Sequence, residues 1–286
     1  MARYRFSPER EHVVLVVLPD RIVHRERFRV DRYSMIMMVD YPLLLFVCSC
    51  VALWASAFLG ASLRKWRGPL KEDRSDFVVV QGAALTLMGL LIGFTFSMAI
   101  SRYDQRKVYE EEEANAIGTE YLRAGLLPEA DATKVRELLK EYLRQRVLFY
   151  ITRDSRQLQR VNADTSRLQD ALWLAVVVRA NAQPTPTSAL AAMGMNDVLN
   201  SQGYTQASWW NRIPVEAWVL LGAIGVGCNI LIGYGAHRTS GMLFMILPLA
   251  VSVSFFLIAD IDSPRAGVIR VEPLNLVSLS QNLQTH

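Results

Sequence analysis

The one acidic cluster in this 286-residue chain is Glu110-Glu111-Glu112-Glu113. Successive residues on a helix point about 100° apart, so four carboxylates in a row wrap around the rod and do not converge. Two readings stand: a solvated helical face with Arg106 and Lys107 one turn back, or a ring that attracts cations when several subunits meet about an axis. Asp260 and Asp262 form a smaller acidic pair, followed by Pro264-Arg265. An Asp on the last turn of a helix opposes the helix dipole unless it is paired. Arg265, Arg270 or a neighbouring helix would supply the partner, so Asp260, Asp262 and Arg265 are read as structural ion pairing. Cys48, Cys50 and Cys228 all lie in apolar stretches, and His12, His24, His237 and His286 are scattered. Neither a disulfide framework nor metal-ligand spacing results. HExxH, GxSxG, P-loop and GxGxxG motifs are all missing from the sequence. The chain is therefore not expected to be an enzyme, and no catalytic residue, cofactor or metal is assigned.

The elements that hold these residues are set by charge distribution more than by composition. Apolar residues make up 51% and charged residues 20%, averages that would suit a soluble protein. The charges, however, avoid four stretches: Leu43 to Leu63, Phe77 to Ile100, Val215 to Ala236 (with Glu216 near its start) and Gly241 to Ala259. Each is about 20 residues long, enough to cross a hydrocarbon core about 30 Å thick. The expected fold is an all-α membrane protein with four transmembrane helices in two hairpins, 41–100 and 214–262. A helical extramembrane domain, 101–213, lies between them, with a C-terminal tail at 263–286. Net charge is +4, and no basic stripe with interleaved aromatics suggests a nucleic-acid partner.

Residues 1–40 read as a basic, disordered extension. Its first 34 residues carry eight arginines, without the apolar core and small-residue cleavage site of a signal peptide. Met35, Met37 and Met38 precede the first span, and translation is expected to start at one of them. Mass spectrometry of the natural N-terminus tests this; an intact Met1 or Ala2 end counts against it. Four spans place both termini and residues 101–213 on one side. Five basic residues in the 64–76 connection oppose Arg102, Arg106, Lys107, Arg212, Arg265 and Arg270 at the other membrane ends. The positive-inside rule is thus nearly balanced.

Proline is absent from Phe77 to Ala124, so the second span is expected to leave the membrane as one rod roughly 70 Å long. Gly125 and Pro128 end it. Amphipathic helices follow around Val135–Phe149 and Leu158–Trp173. Pro184-Thr185-Pro186 interrupts, Thr187 is the expected N-cap of the next helix, and Pro214 introduces the third span. Within the second span, Gly82, Gly89 and Gly93 would allow close helix packing. Thr86, Leu90 and Phe94 recur every fourth residue and share a face. That face is either a packing stripe or the lining of a narrow hydrophobic constriction about a symmetry axis.

The segment Ile92-Gly-Phe-Thr-Phe-Ser-Met-Ala-Ile-Ser-Arg-Tyr103 resembles the end of the second transmembrane helix of bestrophins. Glu113-Ala-Asn-Ala-Ile-Gly118, Leu168-Gln-Asp-Ala-Leu-Trp173 and Asp260-Ile-Asp-Ser-Pro-Arg-Ala-Gly267 resemble the bacterial bestrophin-like family of unknown function. That resemblance runs from about residue 40 to 275. It implies a homo-oligomeric, pentameric channel for small inorganic anions such as chloride. The channel would lie in a bacterial inner membrane, with the helical domain and termini cytoplasmic. It places Phe94, Leu90 and Thr86 at the three positions of a pore neck. Thr86 departs from the family's Ile and Phe and would make its ring wetter. Arg102 follows by about 12 Å and is either an anion-holding charge at the pore mouth or an interfacial anchor. Asp260 and Asp262 are too few oxygens for the acidic calcium clasp of calcium-activated relatives, so no calcium gating is expected. The alternative is a non-conducting membrane scaffold or sensor whose helical domain docks a partner.

Overall fold

A chain crossing hydrocarbon must satisfy its own backbone polar groups, and a helix does this within one segment. The computed structural model describes residues 41–67, 74–236 and 241–284. The basic N-terminal extension, and with it the expected start site, lies outside these. Four of the helices are long and apolar enough to cross a membrane. They are α1 (Pro42–Arg67), α2 (Arg74–Arg123), α6 (Val215–Gly235) and α7 (Gly241–Asp262). Between α2 and α6 come a 3₁₀ turn (Ala124–Leu126), α3 (Glu129–Ile151), α4 (Ser155–Ala182) and α5 (Pro186–Trp210). Helix α8 (Leu274–Gln284) follows the last span. No strand occurs among the described residues. The protein is an all-α membrane protein of four spans with a helical domain outside the bilayer.

Helix α2 is a single rod of 50 residues, about 75 Å long. It ends at the 3₁₀ turn beside Gly125, and Pro128 stands at the N-cap of α3. The break at Pro184–Pro186 also forms, but its cap differs from the sequence expectation. Thr185, not Thr187, is the N-cap of α5, in a capping box with Ser188, and Pro186 takes the first turn. Proline suits that position because its fixed φ is already helical and its missing N–H would have had no partner.

Among the spanning helices, sequence neighbours are not the main packing partners. Helix α1 lies along α6 and α7, whereas α2 lies along α5 and more lightly along α6 and α7. The α1–α6 contact is made by glycines. A Cβ on Gly60 would run into the Ile230 carbonyl, and one on Gly233 into the Ala57 carbonyl. Backbone therefore meets backbone, the arrangement that lets helices associate in lipid. Gly82, Gly89 and Gly93, expected to serve this purpose, meet nothing within 4 Å inside the chain.

The core has two parts. In the membrane half, Leu53, Met88, Ala99, Leu221, Phe255 and Ile258 form one cluster. In the helical domain Ile117, Leu139, Phe149, Leu172 and Met195 form the other. Tyr103 packs against both, so α2 joins them at that level.

Candidate functional site

Along the span of α2 the two faces differ sharply. Met88, Thr95 and Ala99 point into the membrane core. On the other side Thr86 is exposed, Leu90 is 52% exposed and Phe94 63% exposed. The Thr86 hydroxyl donates to the Gly82 carbonyl at 2.9 Å. Its one proton is thus spent on the backbone, and the Thr86 side chain is less polar than threonine alone suggests. Only 6% of the most apolar window of α2 is covered by the chain itself, against 50% for α7.

Below the span the buried stripe of α2 continues, but with charged residues. Arg106 is 1% exposed. Its guanidinium donates to the carbonyls of Ser208 (3.3 Å), Ile261 (3.2 Å) and Asp262 (3.2 Å). These lie at the C-terminal ends of α5 and α7, where carbonyls lack helical partners and the dipole favours a cation. The Asp262 carboxylate accepts the Ile213 N–H at 3.1 and 3.2 Å. It also pairs with Arg102 at 3.7 Å and Arg212 at 3.5 Å. The dipole-opposing position of Asp262 is thereby neutralised. The guanidinium groups of Arg102, Arg106 and Arg212 all act on this carboxylate.

The other predicted ion-pairing residues separate. Asp260 binds backbone only, accepting the N–H groups of Val268 (2.7 Å) and Ile269 (2.8 Å) and closing the loop after α7. Arg265 reaches neither aspartate. It donates to the carbonyls of Phe149 (2.8 Å) and Thr152 (2.9 Å). Its guanidinium also lies over the rings of Phe149 (4.6 Å) and Trp209 (4.3 Å). Burial, reinforced by Arg146, lowers the Arg265 guanidinium to about 10, which leaves it charged at neutral pH. It satisfies carbonyls at the end of α3 that the helix itself leaves without partners.

The glutamate run is not a solvated face. Glu111 and Glu112 are exposed, whereas Glu110 and Glu113 are buried. Glu110 accepts from the Leu276 N–H (2.9 Å) and the Asn275 amide (2.6 Å), capping α8 at its N-terminus, where the dipole favours an anion. Glu113 accepts from Arg146 through both carboxylate oxygens, and from the Thr205 hydroxyl at 3.0 Å. Arg146 in turn lies 4.4 Å from the centre of the Phe149 ring. Burial pushes the nearby Tyr142 and Tyr150 phenols up, so both stay neutral. The signal for this was present in the sequence. Residues 99, 106, 110, 113, 117 and 120 continue the buried stripe at helical spacing. Four of those six positions are charged, which breaks the apolar pattern by which a buried helical stripe is recognised. Among the described residues no cluster of three or more His, Cys, Asp or Glu could hold a metal.

No curated protein sequence matches the chain. Solved structures do match in fold. A variant of a bacterial bestrophin homologue from Klebsiella pneumoniae is 12% identical, with a TM-score of 0.61 over 85% of this chain and 98% of that one. A second structure of the Klebsiella homologue is 13% identical, with a TM-score of 0.60 over 85% and 97%. At such identity the likeness speaks to the fold. The family is fixed separately, by a match to the model of the bestrophin-like domain over residues 49–276. An uncovered face on the second span, a rod running from it into a helical domain, and a match spanning most of the chain agree: this chain belongs to the bestrophin-like family.

Proposed function

We propose that copies of this chain assemble about an axis, as a pentamer, into a channel for small inorganic anions such as chloride. The carrying observation is that the chain leaves the Thr86–Leu90–Phe94 face of α2 uncovered while Met88, Thr95 and Ala99 on the other side are buried. In this reading Leu90 and Phe94 form hydrophobic rings that gate by dewetting. Contact-free Gly82, Gly89 and Gly93 let neighbouring α2 helices approach. Arg102, on the same helix, lends a guanidinium charge to the inner mouth, which suits an anion. The helical domain and both termini would face the cytoplasm of a bacterial cell.

Purified full-length protein in planar bilayers tests the proposal. Wild type is expected to pass anion current, and Phe94→Ala to raise it severalfold by widening the narrow ring. Silence of both, from correctly assembled oligomers, would favour the non-conducting scaffold. A monomer in detergent would sink the channel, since one α2 cannot line a pore.

A further inference from the structure

Three acidic residues sit on the buried stripe of α2 below the membrane, and two have partners. The third, Glu120, is 0% exposed, and neither of its carboxyl oxygens has a hydrogen-bond partner. Its seat exists because α5 presents a glycine. A Cβ on Gly194 would collide with the Glu120 carboxyl and with the Arg123 guanidinium at the same point. A poised counter-charge lies alongside. Arg123 Nη1 is 3.8 Å from Asp197 of α5, a carboxylate that is itself largely in solvent. From α3, Arg136 turns away to the Tyr121 carbonyl (3.3 Å) and the Tyr121 ring (5.3 Å). The charges acting on Glu120 are therefore Arg123 on its own helix and Asp197 across the contact.

We propose that Glu120 is a protonation-controlled latch between α2 and α5. As the neutral acid it lets the helices close on Gly194. As the carboxylate, having given its proton to solvent, it draws the Arg123 guanidinium off Asp197 and loosens that contact. Burial pushes the Glu120 carboxyl up to about 8, with Asp197 adding and Arg123 opposing. In an unfolded chain the same group titrates at about 4.3. The folded state therefore holds the proton more tightly. Stability from this group is full below about pH 4.3 and is lost as pH rises towards 8. The latch does not require conduction. If α2 does line a pore, the latch acts on the helix that lines it.

The test is an infrared pH titration of the full-length protein in detergent. A protonated-carboxyl band is expected at pH 6, disappearing with a midpoint near 8. It should be missing in Glu120→Gln and retained in Glu112→Gln, whose carboxylate is exposed. Asp197→Asn, a surface change that leaves packing intact, should shift the midpoint to lower pH by freeing Arg123. The thermal midpoint should fall between pH 6 and pH 9 in wild type and fall less in Glu120→Gln. If Glu120→Gln does not fold, the wild-type titration and Asp197→Asn still decide. A wild-type protein without the band at pH 6, or an unmoved midpoint in Asp197→Asn, overturns the latch.

Discussion

Arg146→Ala is expected to cost about 3–5 kcal/mol, because it leaves the Glu113 carboxylate buried with its main cation gone. The pair is fully buried and its members are 33 residues apart in the chain. The loss also uncovers the Phe149 ring on which the guanidinium lies. Thr205 alone would remain as a donor to Glu113, too little for a full charge. Thermal unfolding of the detergent-solubilised protein measures the effect. The mechanism makes a second, sharper demand. Glu113→Leu combined with Arg146→Met removes both charges at once, and that double variant should be more stable than either Glu113→Leu or Arg146→Met alone. If the double variant is as damaged as the sum of the singles, charge burial is not the cause.

Gly233→Val is expected to disrupt the membrane half with comparable force. Overpacking a core costs about 1–3 kcal/mol when side chains can shift. Here the obstacle is the Ala57 backbone of α1, which cannot rotate aside, so α1 and α6 must separate. The matched control is Gly227→Ala on the same helix, where an added Cβ meets nothing within 4 Å. That change should stay within about 0.5 kcal/mol. Equal thermal midpoints for the two variants would remove the close approach from the account.

What could be read from the sequence was what depends on local pattern. Four stretches nearly free of charge and long enough to span, a proline-free rod from the second of them, and breaks at Gly125–Pro128 and Pro184–Pro186 are all properties of adjacent residues. What could not be read depends on who faces whom. Glu110 and Glu113 looked solvated because their partners, Leu276 and Arg146, lie far along the chain. Gly233 was passed over for Gly89 and Gly93 because a small-residue spacing says that a helix can be approached, not which helix approaches it. Arg265 is similar: its spacing to Asp260 suggested a pair, yet unsatisfied carbonyls at the end of α3 offered it a better seat. The membrane-end arginines carry a further lesson. Arg64 donates to the carbonyls of Tyr234, Gly235 and Ala236 at 3.4, 3.1 and 2.5 Å, and Arg106 closes two other helix ends. Charges that the positive-inside rule counts as loop charges are here parts of helix termini.

The 50-residue length of α2 has a mechanical meaning. Phe94 in the span and Glu120 outside the membrane sit on one uninterrupted cylinder, about 40 Å apart. No proline in the helix offers a joint between them. Such a cylinder acts as a lever and a drive shaft. A tilt of about 5° pivoted at one end would carry the other sideways by roughly 3 Å over that length. A twist would arrive at the same angle at which it was applied. Motion at the far end of the helical domain and motion inside the bilayer are then a single displacement, seen from two places.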